Sequence, residues 1–470
     1  MNEKYGYFIK NFAVLSLGKV STKLIVFFMI PIYTSVLHAE EYGIFDFVNT
    51  IISISLPIFT INIQTAVTKF VLTDKKNPTN VLLVSTRIFI YSLLFFFILL
   101  SLNYFLEVSI ILKDYMLEIM LLYIFSGYLE ILSEHARAID KMVDLTKGSI
   151  LSTFTNVFTN IITLVILKWG LIGFFYANIL GPASGVFYLI YKHRILSALF
   201  TTSWDDELCK KMLAFSYPMV FNSLSWWVNG AADRYIIIAF CGLHENGLYA
   251  LSYKLIAAFD MIQNIFNQAW CVSALKEFDN NDKENFFMDI YQNYLLFMVS
   301  VCMFFFLVLD FLSKMLFSGD FVNSWIYVPF LTIAALFGGL SGFIGVIFSA
   351  VNKTHVFAAT TILGGGVNVL LNFILVPYNG AIGAAIASLC SYLCVFLFRA
   401  YIAGKYVKIS WIDTRMILCF IVLLFQALVL LNIEHCYAMY VFLICSDCFI
   451  IYLFRFSIFI VYRKLKMNFF

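Results

Sequence analysis

Seven basic side chains lie inside long apolar segments of this sequence, where a positive charge is unfavourable without a partner or a function. They are Lys19, Lys23, Lys69, Arg87, Arg234, Lys254 and Arg455. Such groups either pair with acids or line a path for a charged substrate. Lys23 lies roughly 16 Å into its segment at 1.5 Å per residue, too deep to reach an interface by snorkelling. Lys19 lies one turn away on the same face, whereas Lys69 and Arg87 are close enough to an interface to snorkel.

Polar side chains also recur at three- and four-residue spacing, which places them on one face of each predicted helix. One such stripe comprises Asp46, Asn49, Ser53, Thr60 and Gln64. Two others comprise Asn222, Ser225, Asn229 and Asp233, and then Asp260, Asn264 and Asn267. Hydrogen bonding between helices is the alternative, and it is favoured for the Ser and Thr positions. Stripes along most of a helix favour the lining of a water-filled cavity.

The carboxylates of Asp46 and Asp260 are candidates for coupling to an ion gradient, because desolvation can keep a carboxyl group protonated until a cation approaches. The coupling ion would be a proton or Na⁺. A salt bridge to Lys23 or Lys254 is the equally favoured alternative. Asp233 and Arg234 lie near the predicted outer end of a helix, where a helix-end anchor is the alternative to a cavity role.

The elements that hold these residues must lie in lipid, because 62% of the 470 residues are hydrophobic and only 13% are charged. A soluble chain has far more charged surface. The net charge of +3 is too small for a nucleic-acid-binding surface, and the 10 Cys show neither disulfide nor metal-binding spacing. The sequence therefore predicts an all-α polytopic integral membrane protein.

Fourteen apolar runs are long enough to span a bilayer as helices. Their approximate bounds are 12–36, 44–70, 81–105, 116–136, 148–167, 171–191, 213–240, 247–274, 286–310, 325–349, 357–376, 380–400, 413–432 and 438–461. Most basic loop residues, Arg399 among them, fall on the side of the N terminus, whereas the opposite loops carry only Lys113, Lys168 and Lys314. By the positive-inside rule both termini are cytoplasmic. The long first run argues against a cleaved signal peptide.

Two distant segments share a pattern that indicates an internal repeat. Asn156, Asn160, Gly170 and Gly173 recur, at nearly the same spacing, as Asn368, Asn372, Gly380 and Gly383. Tyr42-Gly43 and Asn246-Gly247 are a weaker match. Both matches imply six spans per repeat, hence two parallel halves with a site between them, as in transporters. The predicted domains are an N-terminal lobe (1–205), a C-terminal lobe (206–405) and an added helix pair (406–470), with chance similarity as the alternative.

No catalytic residues, metal or bound cofactor are expected. The sequence contains no Walker A glycine loop, no H-E-x-x-H and no G-x-S-x-G, and its six His are scattered at the ends of the predicted spans. Only short loops face the outside, so the chain offers no extracytoplasmic domain for catalysis. The sequence thus indicates a transporter rather than an enzyme.

Several short segments resemble the polysaccharide-export flippases of the O-antigen (Wzx) type. They are Ser16-Leu17-Gly18-Lys19, Pro31-Ile32-Tyr33-Thr34, Glu41-Tyr42-Gly43-Ile44-Phe45-Asp46, Asn229 to Arg234, Gly247-Leu248-Tyr249, Tyr253-Lys254-Leu255 and Gly380 to Ala387. The resemblance covers essentially the whole chain. It implies the fold of the multidrug/oligosaccharidyl-lipid/polysaccharide (MOP) exporter superfamily, with two six-helix lobes around a cavity of alternating access. Many family members have twelve spans, and the fourteen predicted here depart from that number.

The substrate implied by the resemblance is an undecaprenyl-pyrophosphate-linked oligosaccharide, moved from the cytoplasmic to the outer leaflet of the bacterial inner membrane. Lys19, Lys23, Arg87 and Lys254 would then bind the pyrophosphate and offset its desolvation. The expected partners are this lipid-linked substrate, membrane lipids, and the polymerase and chain-length machinery of polysaccharide assembly, with no nucleic acid.

Three alternatives differ in their expected sequence features. A MATE-type exporter of cationic drugs would have an acidic cavity, whereas the deep charges here are mostly basic. A polymerase or ligase acting on the same lipid would have a large outer loop with catalytic groups. A scaffold of a glycan-assembly complex would tolerate the loss of the cavity charges.

Overall fold

The computed structural model describes residues 25, 27–73, 78–195, 204–278, 283–351, 353–432 and 437–454, and all regular elements in those ranges are helices. Lys19, Lys23 and Arg455, with most of the first predicted span, lie outside the described residues. The chain forms two compact units, one ending at Ala231 and the next beginning at Ala232. The three-part division into lobes and an added pair stays a prediction.

Unit 1 consists of eight helices and the first part of a ninth. Their bounds are α1 Ile30–Val36, α2 Ala39–Phe59, α3 Ile63–Thr73, α4 Pro78–Leu106, α5 Ile110–Asp114, α6 Met116–Ala138, α7 Met142–Asn160, α8 Gly170–Lys192 and α9 Asp206–Glu277. A π-helical turn, Ile161–Ile166, extends α7. The start of α2 is stabilised by Glu41, whose carboxylate accepts the backbone N–H of His38 at 2.9 Å.

Unit 2 contains the rest of α9 and five further helices. Their bounds are α10 Lys283–Leu316, α11 Val328–Ala350, α12 Thr354–Ala403, α13 Thr414–Asn432 and α14 Tyr437–Leu453, with a 3₁₀ segment Gly319–Tyr327 before α11. Helices α9 and α12 are each interrupted by one glycine. Gly242 (φ 87°, ψ 179°) and Gly380 (φ 60°, ψ −150°) adopt conformations that side chains strongly disfavour. Each long helix is therefore two helical segments that meet at a sharp break.

Nine helices within the described ranges are long and apolar enough to cross a membrane. The 29 residues of α4, at about 1.5 Å per residue, exceed the thickness of a bilayer core. The chain is thus a helical, multi-pass membrane protein, as the composition predicts, while the total of fourteen spans stays a prediction.

The predicted span over 44–70 is interrupted in the structure. Pro57 lies in the last turn of α2, and Ile61 and Asn62 both have a positive φ of 52°, so the chain turns before α3 begins. Proline lacks the backbone donor that would continue the helical ladder. Gln64 therefore does not continue the polar stripe of α2, although the Thr60 hydroxyl donates to its Oε1 at 3.2 Å.

The sequence predicts that Arg399 is a loop residue, and this prediction is wrong. It lies in the second part of α12 and is buried. Its guanidinium donates to the carbonyl of Ser341 at 2.9 Å and to the hydroxyls of Thr360 (3.0 Å) and Thr361 (2.9 Å), and it stacks on Phe357. Neutral oxygens of α11 and of the first part of α12 thus replace the water that this cation would otherwise bind.

Two glycines of α12 provide a test of the break at Gly380. A β-carbon added at Gly383 would lie 2.6 Å from the carbonyl oxygen of Leu375, which belongs to the helix segment before the break. Backbone atoms cannot move aside as a flexible side chain can. We expect Gly383→Ala to destabilise the protein by about 1–3 kcal/mol, measured as a lower melting temperature of the purified protein in detergent.

Gly366→Ala is the matched control, because a β-carbon there meets nothing within 4 Å. Its melting temperature should stay at or slightly above the wild-type value, since alanine favours a helix interior over glycine. Equal melting temperatures for the two variants would contradict the close approach across the break.

Candidate functional site

A buried carboxylate in unit 2 lies at the centre of a polar cluster. Asp233 belongs to α9 and is 2% exposed. Its Oδ2 accepts hydrogen bonds from the hydroxyls of Tyr249 and Ser388, each at 2.9 Å. Its Oδ1 accepts the side-chain amide of Asn372 at 3.1 Å. Three neutral donors thus converge on one carboxylate and take the place of water around it in an apolar interior.

Two asparagines of α12 extend the cluster. The side-chain amide of Asn372 also donates to the backbone carbonyl and to Oδ1 of Asn368, at 2.9 and 3.1 Å. Asn368 in turn donates to the Ser388 hydroxyl at 3.3 Å. The Oδ1 atom of Asn372 is buried and has no hydrogen-bond partner among the described residues. A buried hydrogen-bond acceptor that receives no donor is unfavourable, so this oxygen is available to a further ligand.

The helix breaks bring these residues together. Asn368 and Asn372 are four residues apart, so both lie on one face of the first part of α12. The chain reverses at Gly380, which returns Ser388 to the same face. In α9 the break at Gly242 does the same for Tyr249 relative to Asp233. One glycine in each helix thus allows residues from both segments of that helix to meet in the cluster.

The cluster is made of hard oxygen donors. Carboxylate, amide and hydroxyl oxygens suit a proton or a small cation rather than a transition metal. Across the described ranges, no group of three His, Cys, Asp or Glu side chains could hold a metal ion. The cluster contains one carboxylate, and the neighbouring Arg234 interacts with it electrostatically.

The other predicted residues of α9 lie in both units, and those of unit 2 are more accessible than Asp233. Lys254 and Asn264 are exposed and Asp260 is partly exposed. Asn222 and Asn229 lie earlier in α9, and their side chains are outside the described part of the structure. Arg234 lies beside the Tyr253 ring, with its guanidinium carbon 5.7 Å from the centroid.

The predicted residues of unit 1 lie on three helices. Asp46 and Asn49 on α2 are half-buried, and Gln64 at the start of α3 is buried. Arg87 on α4 is exposed, and its guanidinium lies 4.7 Å from the ring centroid of Trp204. A cation over an aromatic face keeps its charge available to other ligands.

The beginning of α9 packs on the polar faces of α2 and α3 within unit 1. The indole N–H of Trp227 donates to the Ser53 hydroxyl at 3.0 Å. The Asn62 amide donates to the Ser223 hydroxyl at 2.9 Å and to the Met219 carbonyl at 3.1 Å. Part of the polar stripe of α2 thus forms hydrogen bonds between helices. This is the alternative to a cavity lining that the sequence favours for Ser and Thr positions.

Sequence reasoning includes Asp233 among the candidates but misses its partners. Tyr249, Asn368 and Asn372 enter the sequence argument only as marks of the repeat, and Ser388 does not enter it. Two asparagines four residues apart in an apolar helix were the available signal, since each must find a partner there. Asp233 is buried among three donors, and its role as a helix-end anchor or as a cavity residue stays a prediction.

The comparison with protein families gives a match over more than half of the chain. Residues 8–271 match the family of polysaccharide biosynthesis proteins. No curated protein sequence matches the chain.

Solved structures resemble the chain over 84–96% of its length. A lipid II flippase, MurJ, in an inward closed conformation aligns with a TM-score of 0.69 and 15% identity, covering 96% of this chain and 99% of that one. An inward-facing MATE-family multidrug transporter of the MOP superfamily aligns with a TM-score of 0.64 and 14% identity, covering 84% and 99%. A MOP transporter from Pyrococcus furiosus aligns with a TM-score of 0.57 and 14% identity, covering 85% and 96%. The chain therefore belongs to the polysaccharide biosynthesis protein family and has the fold of the MOP superfamily of membrane transporters.

Proposed function

We propose that this protein is a flippase for a lipid-linked oligosaccharide of polysaccharide biosynthesis. The observation that carries the proposal is the family match over residues 8–271, combined with a fold similar to that of a lipid II flippase over 96% of the chain. The substrate would be an undecaprenyl-pyrophosphate-linked repeat unit, moved by alternating access from the cytoplasmic to the outer leaflet. The protein then acts as a transporter and not as an enzyme.

The membrane orientation follows from the same proposal. With both termini in the cytoplasm of a bacterium, most basic loops face the inner surface of the cytoplasmic membrane. The substrate is made at that surface and polymerised at the other, so polymerase and chain-length proteins are the expected neighbours.

The basic residues have a physical purpose in this function. A pyrophosphate that leaves the headgroup region loses its water, and a lysine or arginine beside its path offsets that cost. Arg87 and Lys254 both present accessible side chains to a ligand. Lys19 and Lys23, which lie outside the described residues, are assigned the same role from the sequence.

The Asp233 cluster is the proposed coupling site for a proton or Na⁺. A cation would be held by the Asp233 carboxylate and by the unpartnered Oδ1 of Asn372, and a proton would be carried by the carboxylate itself. Asp46 and Asp260 remain candidates for coupling, but both are more accessible than Asp233.

A MATE-type drug antiporter is the second candidate, favoured by the similarity to a MATE-family transporter at a TM-score of 0.64. A cationic drug would require acidic groups where it binds. A deletion strain that becomes sensitive to cationic drugs while its surface polysaccharide stays intact would favour this alternative.

Substitution of the accessible cations tests the substrate. We expect Arg87→Ala and Lys254→Ala each to slow flipping about tenfold or more, because each removes a charge-assisted contact to phosphate. The measurement is the protection of a fluorescent lipid-linked oligosaccharide from a membrane-impermeant quencher in proteoliposomes.

Lys314→Ala is the matched control, since this exposed lysine pairs with Asp310 at 2.8 Å on the predicted outer side. It should flip at the wild-type rate. Arg87→Ala and Lys254→Ala at wild-type rates, with normal insertion, would exclude a role for these two cations in substrate transport.

Substitution of the buried carboxylate tests coupling. Asp233→Asn keeps the shape and most hydrogen bonds but removes the charge, so we expect flipping to lose its response to an imposed Na⁺ or proton gradient. The initial rate in proteoliposomes with and without each gradient is the measurement, and the gradient that accelerates the wild type identifies the ion.

Asp447→Asn is the matched control. Asp447 is also a buried carboxylate, and it accepts the Gln426 amide at 2.8 Å between α13 and α14. This variant should keep the wild-type response. A wild-type response in Asp233→Asn would show that coupling lies elsewhere.

A further inference from the structure

A line of polar side chains runs between the two parts of α12, which meet at Gly380. On each part the polar positions recur at spacings that place them on one face of the helix. The six residues are Asn372, Asn368, Thr361, Ser388, Ser391 and Arg399. All six are buried or half-buried inside unit 2. We call this line the α12 seam.

Hydrogen bonds follow the seam from one end to the other. The Asp233 cluster forms its first end. Farther along the hairpin, the Ser391 hydroxyl donates to the backbone carbonyl of Gly364 at 2.7 Å. At the last step, the guanidinium of Arg399 donates to the Thr361 hydroxyl at 2.9 Å. Polar groups thus occur at every turn of the first part of α12 between the Asp233 cluster and Arg399.

Arg399 ends the seam with a positive charge that the protein cannot remove. Its side chain is 4% exposed, and an arginine keeps its proton in proteins. The described acceptors of its four hydrogen bonds are all neutral, and they are the carbonyls of Ser341 and Phe357 and the hydroxyls of Thr360 and Thr361. A neutral side chain of similar length would pack there without the desolvation of a cation. The charge of Arg399 therefore needs an explanation beyond packing.

Other positive charges close to α12 differ from Arg399 in position or in exposure. Arg234 interacts electrostatically with Asp233, so it acts at the first end of the seam. Lys353, just before α12, and Lys405, just after it, are exposed, and water and salt screen their charges. Arg399 is instead a buried charge at the end of the seam that the predicted topology places toward the cytoplasm.

A buried charge at that place opposes the passage of cations. Oxygen atoms like those of the seam are the ligands that protons and small cations use in an apolar interior. Asp233 attracts such a cation to the first end, and Arg399 lies 11 residues beyond Ser388, or roughly 16 Å along the helix. Two like charges repel strongly where little water screens them. A cation that reaches the Asp233 cluster is therefore repelled before it passes Arg399.

We propose that Arg399 is an electrostatic barrier that prevents protons and Na⁺ from crossing unit 2 along the α12 seam. The proposal rests on the coupling role of Asp233 proposed above, because a transporter that binds a cation must not let it cross the membrane without substrate. Without the barrier the gradient would be dissipated, and flipping would lose its driving force.

The test measures the cation leak of proteoliposomes that contain the full-length protein and no lipid-linked substrate. An inside-negative K⁺ diffusion potential drives cations inward, and enclosed dyes report the entry of protons or Na⁺. Arg399→Met keeps the length of the side chain and removes its charge. We expect this variant to leak about tenfold faster or more than the wild type, because the repulsion at the end of the seam is lost.

Three further variants assign the leak to the charge and to the seam. Arg399→Lys keeps the charge, and its vesicles should leak no faster than those of the wild type. Phe357→Leu is the matched control, because it removes the ring whose centroid lies 4.0 Å from the guanidinium carbon but leaves the charge in place. Its vesicles should also leak at the wild-type rate. Arg399→Met/Asp233→Asn removes the carboxylate that attracts cations to the first end, so its leak should fall to near the wild-type rate.

The results separate this inference from the coupling role of Asp233. An Arg399→Met protein that inserts normally and does not leak would overturn the barrier, as would equal leaks in Arg399→Met and Arg399→Lys. A leak that persists undiminished in the double variant would show that cations cross outside the seam, which also overturns the inference. If Arg399→Met does not fold, Arg399→Gln, which keeps N–H donors for the neutral acceptors, decides between the same outcomes. A wild type whose flipping responds to neither gradient would instead refute the coupling role, whatever the leak rates.

Discussion

A polar side chain inside a lipid-embedded helix has no water to bind, so it must find its partners within the protein. The two asparagine pairs of this chain are organised by that constraint. In each pair the second amide donates to the backbone carbonyl and side-chain oxygen of the first, one helical turn earlier. This arrangement uses the amide hydrogens fully and directs one carbonyl oxygen into an apolar interior. Each pair therefore fixes a helix hairpin and leaves a single acceptor for a ligand.

Helix breaks at glycine residues allow buried polar side chains to reach partners within the protein. A straight helix places its side chains around a cylinder, and it cannot bring residues from its two ends to one point. The positive φ at Gly380 returns Ser388 to Asn368, and the close approach at Gly383 leaves no room for a β-carbon. The buried Arg399 also finds its partners within the protein, because a backbone carbonyl of α11 and hydroxyls of α12 accept its hydrogen bonds.

The sequence predicted the helical membrane fold and the positions of the asparagine pairs, because composition and repeats are local properties of the chain. The superfamily was implied by the resemblance of its short motifs to a known family. It did not predict which polar residues meet. The stripe of α2 ends at a turn whose positive φ values at Ile61 and Asn62 have no sequence signature beyond Pro57. Arg399 lay next to a basic loop, and its burial depends on groups of α11 and of the first part of α12. Asp233 was a candidate by its residue type, whereas its importance comes from Tyr249 and Ser388, which are distant in sequence.

The two proposed ligands have opposite charges, which explains why the chain needs two kinds of site. A pyrophosphate is large and polyanionic, so it requires accessible cations such as Arg87 and Lys254 along its path. A proton or Na⁺ is small, and it requires a desolvated carboxylate that no mobile lysine can neutralise. Burial of Asp233 beneath Tyr249, Ser388 and Asn372 keeps that carboxylate away from solvent. If the carboxylate were as exposed as Lys254, substrate and coupling cations would compete for the same groups, and the gradient could not be coupled to the movement of the lipid.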